Sequence, residues 1–220
     1  MFESSGTKRA LLMGNTYKDT GLRELEVCRR DTEKINEILI EKLCFKNENI
    51  VRKIDTYPEK EVRNFLFNVK EGDLLFIYFS GHGGELVSSI NVPKKIGLMS
   101  SWINPDKSYF LSYYLDKLLS DIKITCKIIL CSDTCYAGKF LCYYSGNNEV
   151  YFIGSSDVAT KTSNYFAKSE EPIKYGALVL LFEYLLQYES EIIFETILEQ
   201  TKNHRVKKRF LQHMTLKHIK

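Results

Sequence analysis

The chain of 220 residues lacks a long apolar run and a secretory signal. Its longest strongly apolar stretch, residues 177–186, contains Glu183 and is about half as long as a membrane-spanning helix. The first residues do not show the basic, apolar and small-residue regions of a signal peptide. The sequence therefore predicts a cytoplasmic protein with no membrane association.

A strong excess of charge of one sign is also missing. The formal net charge is +3, from 31 Lys and Arg against 28 Asp and Glu, which does not favour a nucleic-acid partner. Basic residues gather only near the C-terminus, where we expect a solvated helix face or a fraying terminus. These residues are Lys207, Lys208, Arg209, Lys217 and Lys220.

The six cysteines do not form a zinc-binding pattern. Four of them, Cys126, Cys131, Cys135 and Cys142, lie near one another in sequence, but without a paired two-residue spacing or a nearby histidine. Most of the six lie within or beside apolar runs, and a chain of this size does not need disulfides to fold. We therefore expect reduced thiols and no bound metal.

The apolar pattern predicts an α/β sandwich with a mostly parallel central sheet flanked by helices. The predicted strands are residues 9–13, 50–54, 74–79, 124–131 and 150–153. The predicted helices, with apolar residues three to four apart, are residues 31–43, 58–69, 111–119, 175–187 and 192–203. No regular element is predicted for residues 83–106, 137–148 or 155–172, and long loops of this kind are often functional.

The chemistry-bearing residues follow two of the predicted strands. His82 lies just after residues 74–79, and Cys135 lies just after residues 124–131. Because the carboxyl ends of parallel strands share one edge of a sheet, both side chains are expected in the same crevice. The two are about 50 residues apart, which is the interval typical of caspases.

This pair predicts acyl-transfer chemistry. A thiol is nucleophilic as its thiolate, and a nearby histidine can accept the thiol proton and later give it to the leaving amine. We therefore predict Cys135 as nucleophile and His82 as acid/base. Backbone N–H groups at Gly83 and Cys135 are predicted to stabilise the oxyanion.

Asp133 provides a further prediction about the substrate. It lies two residues before the predicted nucleophile, and an uncompensated carboxylate in the crevice would attract a cationic side chain. The sequence therefore predicts cleavage after Lys or Arg.

The segments YFSGHGG and DTCYAG resemble the signature blocks of metacaspases, in the caspase-like superfamily. The resemblance extends from about residue 8 to about residue 186. It implies a caspase-like fold, a cysteine endopeptidase activity and peptide or protein substrates. It also implies that Cys28, Asp31, Ser80 and Asp133 form the primary specificity pocket.

The resemblance further implies one catalytic domain over residues 1–220, with no prodomain and with a monomer favoured. We expect a larger half at residues 8–138, a loop at 139–174 and the helical part of a smaller half at 175–220. Lysines in that loop, among them Lys161, Lys168 and Lys174, are candidate sites of activating self-cleavage.

Two segments depart from the metacaspase pattern. Tyr136 and Ala137 follow the cysteine where histidine and serine are frequent in the family. Several metacaspases need calcium, yet the stretch after the histidine block offers only Glu85 and Asp106 as obvious oxygen ligands. No cofactor is therefore expected, and calcium activation has little support in the sequence.

Two alternatives to this activity remain open. An asparagine-directed peptidase related to legumain would also place a histidine block and a cysteine at strand ends. A catalytically inactive, caspase-like scaffold would retain the fold without turnover.

Overall fold

The computed structural model describes residues 2–87, 98–156, 174–188 and 214–220. The strands in these segments are β1 (Lys8–Gly14), β2 (Ile50–Ile54), β3 (Leu74–Ser80), β4 (Gly83–Val87), β5 (Leu98–Ile103), β6 (Tyr109–Leu111), β7 (Lys127–Asp133), β8 (Glu149–Gly154) and β9 (Thr215–Ile219). The helices are α1 (Val27–Glu41), α2 (Pro58–Leu66), α3 (Ser112–Ser120) and α4 (Ala177–Tyr188). Short 3₁₀ helices cover Asn47–Asn49 and Ala137–Lys139.

The central sheet has six strands in the order β2-β1-β3-β7-β8-β9. The first five strands of this order are parallel, and β9 runs antiparallel to β8. In the ladders, Gly14 pairs with Ser80 and Ser80 pairs with Asp133. The last residues of β1, β3 and β7 therefore lie side by side at the carboxyl edge.

The inner strands β1, β3, β7 and β8 are buried on both faces, which explains their nearly continuous apolar runs in the sequence. Within β3, Phe76 and Tyr78 belong to a cluster that includes side chains of α1 and α4. Ile77 and Phe79 point to the opposite face, in a cluster with side chains of α2 and α3. The predicted three-layer α/β sandwich is confirmed.

Most predicted elements agree with the structure within a few residues. The strand at 50–54 has the predicted bounds, whereas β7 is shifted toward Asp133 and α1 begins at Val27, four residues earlier than predicted. The predicted helix at 192–203 lies outside the described residues. None of the described helices has the length and apolar character needed to cross a membrane.

The prediction of no regular structure over residues 83–106 was wrong. Strands β4 and β5 lie there, and with β6 they form a separate antiparallel sheet in the order β4-β5-β6. Trp102 of β5 is fully buried and stacks on Phe79 of the central sheet, with 4.6 Å between ring centroids. The sequence does not indicate this sheet, because β4 begins with two glycines and two serines interrupt the apolar pattern of β5.

The prediction for the C-terminus was also wrong, since residues 215–219 form the edge strand β9 and not a helix face or a frayed end. The Lys217 ammonium donates to the carbonyls of Gly138 and Phe140 and contacts Cys142 Sγ at 3.2 Å. Three donors on one ammonium suit this cluster of acceptors. Lys207, Lys208 and Arg209 lie outside the described residues.

Replacing Lys217 with alanine is expected to lower the free energy of unfolding by about 1–3 kcal/mol, because it leaves backbone carbonyls without their donor. The exposed Lys220→Ala is the matched control and is expected to change stability by less than about 0.5 kcal/mol. Urea unfolding followed by circular dichroism measures both. Equal stability of the two variants would contradict an anchoring role for Lys217.

Candidate active site

The carboxyl edge of the central sheet brings the two predicted catalytic segments into contact. Gly81 N–H donates to the carbonyl of Asp133 at 3.4 Å. A Cβ atom added at Gly83 would lie less than 3.0 Å from both the Cys135 carbonyl oxygen and the Thr134 side chain. The loops that carry His82 and Cys135 are therefore packed backbone to backbone, as the strand-end argument predicted.

The His82 ring is oriented by a backbone carbonyl. Its Nε2 lies 2.7 Å from the carbonyl oxygen of Arg23. A carbonyl only accepts, so Nε2 carries the proton of the neutral ring and Nδ1 is left as the basic nitrogen. Burial lowers the pKa of His82, which favours the neutral form that can accept a proton.

Tyr17 holds the backbone of the same residue and was not assigned this role from the sequence. Its hydroxyl accepts from His82 N–H at 2.9 Å and donates to the Ile103 carbonyl at 2.7 Å. The Tyr17 and His82 rings have their centroids 4.5 Å apart. The position of Tyr17 after Ala10 to Gly14 resembles the turn after the first strand of metacaspases, and in the structure its φ of 60° is unusual for a tyrosine.

Cys135 lies between the end of β7 and the 3₁₀ helix Ala137–Lys139, and its side chain is partly exposed. Tyr136, the next residue, adopts a left-handed conformation with φ of 56°. The chain thus turns sharply directly after the thiol. No described residue accepts a hydrogen bond from the Cys135 N–H, so this amide remains available to an oxyanion.

The four residues predicted to line the specificity pocket are all buried at this edge. Ser80 Oγ donates to Asp31 Oδ2 at 2.7 Å, and Tyr78 Oη lies 3.5 Å from Asp133 Oδ2. Cys28 lies in the first turn of α1, and burial raises the pKa of its thiol. The structure therefore places Cys28 and Ser80 beside the carboxylates of Asp31 and Asp133.

The negative charges of Asp31 and Asp133 are compensated in part by backbone N–H groups, so the expectation of an uncompensated carboxylate at Asp133 was wrong. Gly176 N–H donates to Asp31 Oδ1 at 2.7 Å, and Leu178 N–H donates to Asp133 Oδ2 at 3.0 Å. Both donors lie at the N-terminus of α4, where free amides and the helix dipole favour negative charge. Sequence reasoning missed Gly176 and Leu178, because nothing local to α4 shows which carboxylates face its first turn.

The two carboxyl groups are close enough to affect one another's ionisation. A Cβ atom added at Gly176 would lie less than 3.0 Å from Oδ2 of each aspartate. Burial, followed by repulsion from Asp133, raises the pKa of Asp31 to about 7. Burial likewise raises the pKa of Asp133. The pair therefore favours holding a proton unless a cation is placed beside it.

The described residues do not fit a calcium site. Among them, no group of three His, Cys, Asp or Glu side chains is arranged to hold a metal ion. The carboxylate of Asp106 accepts from the amide and hydroxyl of Ser108, at 3.0 and 2.6 Å. Glu85 lies on β4 opposite Ser100, away from the turn that carries Asp106.

For the peptidase activity predicted from His82 and Cys135, Gly83→Ala is expected to lower kcat/KM by at least about a hundredfold, because the new methyl group would push the His82 and Cys135 loops apart. Gly84→Ala is the matched control. Its Cβ atom would lie 3.1 Å from Ser101 Oγ, a side-chain atom that can move slightly. Steady-state hydrolysis of a basic peptide substrate measures both variants. Wild-type kinetics for Gly83→Ala would contradict the described contact.

Residues 8–143 match the sequence profile of the family described as "Metacaspase, peptidase C14 domain". The chain is 30% identical over 144 residues to Metacaspase-6 from Arabidopsis thaliana. The aligned region covers 61% of this chain and 39% of that protein. It is 30% identical over 155 residues to Metacaspase-1 from Plasmodium falciparum, which covers 63% of this chain and 25% of that protein. The chain thus matches less than half the length of these relatives.

A solved structure supports the fold. Protein GSU0716 from Geobacter sulfurreducens is similar to this chain with a TM-score of 0.68, over 97% of this chain and 93% of that one. The sequences are 15% identical, so this similarity concerns the fold alone. The family profile covers more than half of the chain, and the chain therefore belongs to the metacaspase family of the peptidase C14 class.

Proposed function

We propose that this chain is a cysteine endopeptidase that cleaves peptide bonds after Lys or Arg, with Cys135 as nucleophile and His82 as acid/base. The observation that carries the proposal is the packing of the His82 loop against the Cys135 loop. His82 is held there by the Arg23 carbonyl, which leaves Nδ1 to act on the thiol. Membership of a family of cysteine peptidases supports the same chemistry.

In the first half of the proposed reaction, His82 Nδ1 accepts the thiol proton and Cys135 Sγ attacks the substrate carbonyl carbon. The oxyanion that forms is stabilised by the N–H groups of Cys135 and Gly83. Collapse of the tetrahedral intermediate breaks the C–N bond, and the His82 imidazolium gives its proton to the leaving amine. The acyl group then remains on Cys135 as a thioester.

In the second half, His82 removes a proton from water, and the water oxygen attacks the thioester carbonyl. Breakage of the C–S bond releases the carboxylic acid product, and the sulfur regains its proton from His82. Both halves need a histidine that is neutral at rest, which agrees with its lowered pKa.

The buried carboxylate pair supports the preference for a basic residue before the scissile bond. Asp133 is the last residue of β7, directly before the turn that carries Cys135, and Ser80 pairs with it at the end of β3. Ser80 also donates to Asp31 of α1, which brings the second carboxylate to the same strand end. A lysine or arginine side chain placed there would supply the positive charge that lets both carboxyl groups ionise. An aspartate side chain would add a third negative group and is expected to be rejected.

Covalent labelling of Cys135 by a lysine peptide electrophile under reducing conditions tests the activity, with and without added calcium. We expect labelling at least about a hundredfold faster than with asparagine or aspartate analogues. Cys135→Ala should abolish it, and the exposed thiols Cys44 and Cys142 report non-specific reaction within the same chain. Faster asparagine labelling would favour the legumain-like alternative, and no labelling would favour an inactive scaffold.

The pH dependence of KM tests the pocket. Below about pH 7, Asp31 holds its proton and the pocket carries less negative charge; above it, the proton is lost and a cationic side chain is bound more tightly. KM for a lysine substrate is therefore expected to fall several-fold as pH rises from about 5.5 to about 8. Asp31→Asn is the control and should flatten this profile. A KM that does not change with pH in the wild-type enzyme would argue against Asp31 as a substrate-binding group.

A further inference from the structure

Three serine side chains contact the turn that contains Cys135: Ser155 donates one hydrogen bond, to the Thr134 carbonyl at 3.3 Å, whereas Ser156 and Ser100 make two each and clamp the turn. Ser156 Oγ accepts from Ala137 N–H at 2.9 Å and donates to the Thr134 carbonyl at 2.8 Å. It therefore joins the peptide group before Cys135 to the amide that follows Tyr136. A hydroxyl has one donor and two acceptor lone pairs, so a single side chain can make both bonds.

The second clamp comes from the other sheet. Ser100 Oγ donates to the Tyr136 carbonyl and accepts from Lys139 N–H at 3.0 Å. Ser100 belongs to β5, whereas Ser156 follows the end of β8 in the central sheet. The turn around Cys135 is thus held from two sides by elements that do not otherwise share a sheet.

These contacts fall on the Thr134–Cys135 and Tyr136–Ala137 peptide groups, which lie on either side of the Cys135–Tyr136 peptide group. A peptide group is planar, so fixing the Thr134 carbonyl also fixes the plane that contains the Cys135 N–H, and fixing the Tyr136 carbonyl fixes the plane of the group that follows Tyr136. That orientation sets the direction of the Cys135 N–H and the position of the sulfur relative to His82. Both serines are nearly fully buried, so water does not compete for these bonds.

We infer that Ser100 and Ser156 are positioning residues for the nucleophile, acting through the backbone on either side of Cys135 and not through the substrate. This inference rests on the proposed peptidase function. Neither hydroxyl belongs to the histidine and cysteine pair or to the carboxylate pocket. Their removal should therefore impair the chemical step and leave substrate binding nearly unchanged.

The kinetic test uses Ser156→Ala, Ser100→Ala and the double variant. Each single variant is expected to lower kcat for a lysine substrate roughly tenfold to a hundredfold, with KM within about twofold of wild type. Ser112→Ala is the matched control, because Ser112 is buried and its hydroxyl has no hydrogen-bond partner in the described structure. It should retain wild-type kcat.

Hydrogen exchange followed by mass spectrometry tests the clamp without relying on turnover. The amides of Ala137 and Lys139 donate to the two serine oxygens. Peptides that contain these amides should exchange at least about tenfold faster in the matching variants, while peptides from β3 remain protected. Thermal melting shows whether each variant retains a cooperative fold.

Three outcomes would overturn the inference: wild-type kcat in both single variants, a loss of kcat in Ser112→Ala equal to theirs, or loss of the cooperative fold in both single variants. The last would show that the hydroxyls are needed for folding itself. A wild-type enzyme that neither cleaves nor labels would instead refute the proposed function. In that case the exchange rates alone decide whether the serines hold the turn, and unchanged rates would refute the clamp.

Discussion

The in-register parallel pairing of β3 with β7 is the constraint on which the candidate site depends. This ladder ends with Ser80 opposite Asp133. His82 and Cys135 each lie two residues beyond the end of their strand, so both enter the same crevice. A slip of two residues would separate the histidine and cysteine loops by about 7 Å while keeping the same side chains buried on each face. The close contact between Gly83 and the Cys135 backbone is possible only in the observed register, so a slip would break it.

The second organising interaction is the meeting of two buried carboxylates with the first turn of α4. Two like charges this close would repel strongly without a positive partner. The α4 amides supply part of that compensation, and Gly176 is small enough to let the backbone approach both side chains. The same arrangement ties α4, which follows the predicted loop in sequence, to the strand end that leads into Cys135. The first turn of α4 is therefore part of the surroundings of both carboxylates.

The residues whose positions follow from local pattern could be predicted from the sequence. His82 and Cys135 each follow a strong apolar run, and the geometry of parallel strands is enough to place both at one edge. Asp133 was found in the same way, because it lies within that edge. In each case the information is carried by residues within about ten positions of the side chain.

Other parts of the site depend on partners that are distant in sequence, and no local pattern reveals them. The hydroxyl groups of three residues, Ser100, Ser156 and Tyr17, bind the backbone of elements that are distant in sequence. Serine and tyrosine occur in many structural contexts, so their residue type alone does not predict these roles. The β4–β6 sheet was missed for a similar reason. Its stability comes from the packing of Trp102 against Phe79, and not from a regular alternation within β5. The edge strand β9 was likewise missed, because its sequence is basic and the carbonyls that accept from Lys217 are distant in sequence.

The left-handed Tyr136 shows why the nucleophile turn needs support from outside. A tyrosine in this conformation costs about 1–2 kcal/mol relative to ordinary backbone. A buried hydrogen bond contributes about 0.5–1.5 kcal/mol, so the four hydrogen bonds that Ser100 and Ser156 make with the turn are sufficient to offset that strain. Relaxing Tyr136 would rotate the peptide group beside Cys135, which would redirect the nucleophile. In this structure the strain is therefore balanced by contacts from both sheets, and the geometry of the reacting group depends on the whole of the surrounding fold.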